Sequence, residues 1–354
     1  MKSNYIILLC LLILFSCKSG TVKVSNKVVN QYNSVTVDTL FQDKISMRAI
    51  LIDKNKIWYA ADKNRFGFYN LKSNRKSEIT LIKDAVQMEF RSMAQTPTSI
   101  FVVSVANPAL LFKIDKKNSS YKLVYQENNE KVFYDSMQFW NKKEGIAIGD
   151  PTEDCISIIT TRDGGNSWTK MLCEALPKLA DGEAFFAASN TNIIIKGSKT
   201  FIVSGGKKSR IFVSEDKGIS WKPYITPIIQ GLSMTGIFSA DFYNENIGIA
   251  VGGNYDKQSD NSGNKAITMD GGKTWKLIGI NESFGYASCV QFIPNKKGKE
   301  LVTVGTSGVF YSNNQGETWR KILNDTDLFT IRFQNDSTAI AAGKNKMIRI
   351  NFKK

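Results

Sequence analysis

The sequence has no histidine among its 354 residues, and that absence narrows the chemistry first. Without imidazole there is no Ser-His-Asp triad, no histidine metal site and no side chain whose ordinary pKa lies near neutrality. Any catalysis would have to run on carboxylates, tyrosine, lysine or arginine. The chain also lacks a C-x-x-C pair, a G-x-G-x-x-G following a strand and EF-hand spacing, even in the oxygen-rich stretch Asp256 to Asn264. No redox dithiol, dinucleotide cofactor or metal is therefore expected. Gly206-Lys-Lys-Ser209 lacks the spacing of a phosphate loop. Long apolar runs are missing too. The run Tyr5 to Phe15 has eleven residues, too few to span a bilayer, and no later stretch approaches that need.

What is present begins with charge. The net charge is +15, but the lysines are scattered rather than clustered, which reads as a solvated surface and not as a nucleic-acid site. At the N-terminus, Lys2 precedes the short apolar run, the arrangement of a signal-peptide h-region. The run ends in Leu14-Phe15-Ser16-Cys17, which resembles the lipobox of bacterial lipoproteins. The resemblance implies cleavage before Cys17 and a lipid on its sulfur, so residues 1–16 are a signal peptide and 17–32 a lipidated tether. The membrane is then met only through that lipid. Lys18-Ser19-Gly20 lacks the acidic residues associated with surface export in some such lipoproteins, so a periplasm-facing location in the cell envelope is expected.

Four segments share the pattern S/T-x-D/N-x-G-x-S/T-W, and they carry Asp163 with Trp168, Asp216 with Trp221, Asp270 with Trp275, and Asn314 with Trp319. An Asp or Asn side chain can accept hydrogen bonds from its own turn, and glycine supplies a positive φ. The hydroxyls tie the strand ends, and the tryptophan packs between neighbouring layers. This pattern resembles the Asp-box, or BNR repeat, of sialidase-like propellers. It writes a fold and says little about function.

A second pattern runs through the body: a short apolar strand, a polar turn, then a strand of small residues ending near glycine. Met47 to Ala61, Phe90 to Ser104 and Ser136 to Gly149 are the first three copies, and Ala184–Ala187 with Phe201–Gly205 is the fourth. Ser239 to Gly252, Cys289 to Gly305 and Thr330 to Gly343 complete seven. The expectation is an all-β domain over 33–354, a single seven-bladed β-propeller of four-stranded antiparallel blades. Met347 to Phe352 leaves the last blade one strand short, so Val35 to Leu40 is expected to close the ring.

In such a ring the Asp-box turns lie on one face, and the blade connections form the other, where function concentrates. Arg48 and Arg91 open the inner strands of blades one and two and should point at the central mouth, with Asp150, Glu183 and Arg210 as charged neighbours. Cys155 and Cys173 flank the first Asp-box, and a hairpin centred on Gly164 would set them opposite each other as a disulfide, leaving Cys289 a buried thiol.

The chain resembles single-propeller BNR-like lipoproteins and photosystem II stability and assembly factors. That resemblance implies binding of a partner protein through an arginine-lined face, and the chain is expected to be a monomeric binding or assembly module that takes a protein or glycan partner at the mouth. Ser136, Ser239 and Cys289 stand where further arginines would continue the patch. The alternative is a sialidase-like glycoside hydrolase using Asp150 and Glu183 as paired carboxylates, although Phe90-Arg91-Ser92-Met93 only partly matches the F/Y-R-I-P motif of sialidases.

Overall fold

A computed structural model describes residues 31–354. The expected signal peptide, the lipidated Cys17 and the tether up to residue 30 lie outside the described residues. Among the described residues no helix is long and apolar enough to cross a membrane.

The body is an all-β propeller of antiparallel sheets, and it has six blades rather than the seven expected. The second blade runs from Phe90–Gln95 to Tyr121–Glu127 and the third from Tyr134–Phe139 to Thr169–Lys170. The fourth runs from Ile193–Lys196 to Lys222–Ile225, the fifth from Thr235–Phe242 to Lys276–Leu277, and the sixth from Cys289–Phe292 to Arg320–Leu323. The segments expected as blades seven and one form a single six-stranded sheet. The cause is the continuous strand Ser34–Asp53. Its first part pairs with Thr338–Lys353, as Val35 with Phe352 and Val37 with Ile350, and its second part pairs with Lys56–Ala61. The register shifts between Thr39 and Phe41 and between Gln42 and Ser46, but the strand stays continuous through both irregularities.

The second strand of each blade is buried on both faces between neighbouring blades, which is why Gly145–Gly149 and Leu301–Gly305 read as unbroken apolar or small runs. Outer strands such as Arg75–Thr80 are polar and exposed. The glycines that end the second strands permit close backbone approach. A Cβ on Gly149 would lie 2.2 Å from the Phe133 carbonyl oxygen, where the chain crosses from blade two to blade three. Each Asp-box turn behaves as its residues dictate. Asp163 Oδ1 accepts hydrogen bonds from the Asn166 and Ser167 amides at 2.8 and 3.1 Å, and Thr161 Oγ1 accepts one from Gly165 at 2.9 Å. Trp168 then packs edge-on against Phe101 of the second blade and Phe139 of the third.

The fourth blade departs from the expected register. Its inner strand is Ile193–Lys196, not Ala184–Ala187, because the β-branched Ile193-Ile-Ile195 run suits a pleated, partly buried strand better. The small polar residues before it have another place. Asn190 Nδ2 donates to the Met93 carbonyl at 2.7 Å, and Thr191 Oγ1 donates to Ser239 Oγ at 2.8 Å. Ser189 Oγ donates to the Ser288 carbonyl at 2.6 Å, and Arg332 donates to the Ser189 carbonyl at 2.8 Å. A segment that touches inner strands of the second, fifth and sixth blades and of the closing sheet must lie on the axis. Residues 188–192 therefore plug the channel.

Cys155 and Cys173 are joined by a disulfide with Cα atoms 5.7 Å apart. The route differs from a plain hairpin, however. The strands pair Ile159 with Lys170 and Thr160 with Thr169, one residue away from the expected register. Cys173 instead opens a 3-10 turn, Cys173–Ala175, which brings its sulfur back. Cys289 is buried and is the free cysteine among the described residues.

Candidate functional site

The mouth of the propeller is built by β-bulges. In the closing sheet the pairing steps from Met47 with Ala61 to Ala49 with Ala60, leaving Arg48 unpaired. The same step leaves out Arg91 in the second blade, Asp135 in the third, Phe238 in the fifth and Phe329 at the start of Leu328–Phe333. A bulge bends the strand and re-aims the extra side chain. Each bulged residue is followed by a small one (Ala49, Ser92, Ser136, Ser239 or Thr330), which suits the crowded axis just below. The residues matching Arg48 and Arg91 are therefore Asp135 and Phe238, one position before Ser136 and Ser239. The sixth blade shows no bulge at Cys289.

Of these side chains, Arg48, Arg91 and Phe238 open onto a cavity of about 440 Å³, lined also by Asp150 and by Phe133, Phe186, Tyr255 and Tyr286. Ala187 and Ala188, at the head of the plug, line it as well. Arg48 donates from Nη1 to the Ala188 carbonyl at 3.3 Å and lies 4.2 Å from the Phe329 ring centroid. Its Nε is buried without a hydrogen-bond partner among the described residues. Burial, followed by the neighbouring Arg91 charge, pushes the Arg48 pKa down. Arg91 donates from Nε to Glu89 at 2.7 Å, so its charge is partly answered.

Much of the lining is aromatic. Phe186 and Phe238 stack with centroids 3.9 Å apart, and Tyr286 meets Phe238 edge-on at 4.8 Å and Tyr255 at 5.0 Å. Such offset and edge contacts fix ring orientation with little rotamer freedom left to lose. Asp150 Oδ1 accepts the Phe185 amide at 2.8 Å, and burial raises its pKa to about 6. Behind it lies Asp135, fully buried, with neither carboxyl oxygen hydrogen-bonded among the described residues. Burial and the Asp150 charge hold Asp135 well above the usual carboxylate range, against the pull of Arg91.

Of the five expected binding residues, the structure brings Arg48, Arg91 and Asp150 together at the cavity. Glu183 and Arg210 pair with each other elsewhere. Arg210 Nε lies 3.0 and 3.1 Å from the two Glu183 oxygens, and Ser204 Oγ and the Ala180 amide take the remaining acceptor capacity at 2.6 and 3.0 Å. Glu183 is thus saturated, and Asp150 has no partner carboxylate across the cavity in the way a glycosidase pair requires. Sequence reasoning missed Asp135 and most of the aromatic lining. The signal that finds the bulge residues is a large or charged residue followed by a small one at each inner-strand start. Elsewhere, Asp154, Cys155 and Cys173 offer ligand atoms within 4.8 Å of one another, but both sulfurs are committed to the disulfide.

The BNR/Asp-box repeat family matches residues 310–321, which contain the fourth box. No curated protein matches the chain. Among solved structures, one described as YCF48 bound to D1 peptide is similar with a TM-score of 0.64 and 13% identity, covering 92% of this chain and 98% of that one. YCF48 from Cyanidioschyzon merolae is similar with a TM-score of 0.63 and 10% identity over 91% and 99% of the two chains. The RRP9 WD40 repeats are similar with a TM-score of 0.65 and 11% identity over 91% and 100%. The architecture of this chain is accordingly a β-propeller carrying the BNR/Asp-box repeat.

Proposed function

We propose that the protein is a binding module that holds a segment of a partner protein in the mouth cavity. An acidic group of the partner meets Arg48 and Arg91, and an adjoining apolar or aromatic side chain packs on Phe238 and Tyr286. The observation that carries this reading is the half-buried Arg48 guanidinium, with a buried, unpaired Nε–H donor, in a cavity it shares with a rigid aromatic cluster. A buried donor left unpaired is costly, and an incoming acceptor relieves that cost. That a similarly folded structure was solved with a peptide bound supports a peptide as the ligand.

The proposal includes the envelope anchor. With lipid on Cys17, the body would be tethered through Tyr32, which is buried near Tyr311 and Phe352 and donates to the Asp336 carbonyl. Asp336 lies in the turn between Leu328–Phe333 and Thr338–Lys353, at the end of the blades away from the mouth. The test is a titration of the protein with short peptides that carry one acidic and one aromatic residue. Saturable binding that falls at least about tenfold in Arg48→Ala supports the reading, and binding indifferent to Arg48 refutes it.

A further inference from the structure

A second site lies at the opposite end of the same strands. A groove of about 280 Å³ opens between the turn Asp53–Lys56, the turn after Arg65–Asn70 and the turn after Ala109–Asp115 of the second blade. It is lined by Lys54, Lys56, Lys72 and Lys116, with Asp53 the one acidic residue in its lining. That acid is already taken, since Lys116 Nζ lies 2.9 Å from Asp53 Oδ2. Lys54, Lys56 and Lys72 are left without an acidic partner among the described residues. Lys56 does not lean out into water either: its ammonium lies 4.1 Å from the Phe68 centroid and 5.1 Å from that of Trp58. Trp58 supplies an independent observation. It lines the groove and is fully buried, and its indole N–H has no hydrogen-bond partner among the described residues.

We propose that this groove binds a phosphate-bearing anion. Three lysines without an acidic partner among the described residues line the groove beside an unused N–H donor, and the Lys56 ammonium makes one long contact, 3.5 Å, to the Lys116 carbonyl. A single carboxylate would neutralise one of the three charges, whereas a phosphate ester carries more charge and three acceptor oxygens in a compact group. Lysine, a strongly hydrated point charge on a flexible stem, suits such a group without the planar fork of arginine. The neighbouring groove of about 360 Å³ shares Asp53 and Lys116 and adds Lys142, which leaves room for a second phosphate. The site is independent of the mouth cavity, which lies at the other end of the blades.

The experiment uses the purified full chain, ¹⁵N-labelled at the tryptophan indoles, titrated with inorganic pyrophosphate and followed by calorimetry and NMR. The expected result is saturable binding, movement of the Trp58 indole resonance, and affinity at least about tenfold lower in Lys54→Gln/Lys72→Gln, with melting temperature and mouth-peptide binding unchanged. Absence of saturable binding, or equal affinity in the double variant, overturns the proposal. Vesicle sedimentation then identifies the source of the phosphate. Preferential binding of the wild type over the double variant to phosphatidylglycerol vesicles, but not to phosphatidylcholine vesicles, supports a lipid headgroup. Equal sedimentation of the two proteins, alongside the pyrophosphate result, supports a soluble phosphate ester.

Discussion

Arg48 and Phe329 occupy the bulges of two inner strands in one sheet, and the guanidinium of the first lies 4.2 Å from the ring centroid of the second. The ring replaces part of the hydration that burial removes, yet leaves the Nε–H donor unpaired. Arg48 is therefore held at the mouth at some expense of stability. Replacing a buried charge with an apolar side chain of similar length is often neutral or stabilising. Arg48→Met is expected to keep or raise the folding free energy, by up to about 1 kcal/mol, while weakening peptide binding at least about tenfold. Chemical denaturation beside a binding titration checks both halves.

Asp150 gives the cavity a pH dependence. Its folded pKa is raised from 3.8 to about 6, so the folded state favours the protonated form. That contribution to stability is fully present below the unfolded value and is lost as pH rises through about 6. Asp150→Asn keeps an acceptor for the Phe185 amide without the charge. The variant is expected to match the wild type near pH 4 and to exceed it by on the order of 2 kcal/mol at pH 7.5. Protonation also removes a negative charge from the cavity lining, so an acidic peptide should bind the wild type more tightly at pH 5 than at pH 7.5. Asp150→Asn should flatten that difference. Urea melts and peptide titrations at the two pH values measure it.

The Asp-box turns separate geometry from charge. Burial opposes ionisation of Asp163, but the hydrogen bonds from Ser167 and the neighbouring amides hold its carboxyl down at about 2. Asn314 makes the corresponding bond to the Thr318 amide at 3.0 Å with no charge at all. Asp163→Asn is therefore expected to cost less than about 1 kcal/mol, and Asp163→Ala about 2 kcal/mol. Gly165→Ala should cost more than either, because φ is 73° and a Cβ would meet the Phe101 ring at 2.2 Å. Thermal unfolding of the three variants orders them.

The disulfide closes a loop with a sequence separation of 18. Cys155→Ser/Cys173→Ser is expected to lose about 3 kcal/mol, mostly through a less constrained unfolded chain. Peptide binding should persist, because the bridge lies outside the residues that line the cavity. Denaturation of the double variant beside the wild type reads the loss.

Much of the architecture was legible because it rests on local chemistry. The Asp-box turns follow from hydroxyl, carboxylate and glycine at fixed spacing, and the strand missing after Met347 to Phe352 points to the pairing of Val35 to Leu40 with the C-terminal strand. The features that were not legible depend on what the chain meets far away in sequence. Nothing local to residues 40–46 shows that two expected blades fuse, because a continuous strand and a strand break differ there only in which neighbours pair. Nothing local to Ala188 to Asn192 marks a plug, since their hydrogen-bond partners lie on inner strands distant in sequence. Glu183 and Arg210 were placed at the mouth by charge alone, and the geometry that satisfies them with each other came from Ser204 and the Ala180 amide. The bulges had a sequence signal, a large residue before a small one, but matching the repeats one residue late concealed Asp135 and Phe238.

The central claim is that the mouth, and not the Asp-box face, meets the partner protein. The most direct measurement places a photocrosslinking amino acid at Tyr255, in the cavity, or at Ile219, exposed on an Asp-box turn, in cells that carry the native envelope. The account predicts a discrete crosslinked product from position 255 that disappears in the Arg48→Ala/Arg91→Ala background, and none from position 219. A product from 219 alone, or one from 255 that survives the loss of both arginines, would contradict it.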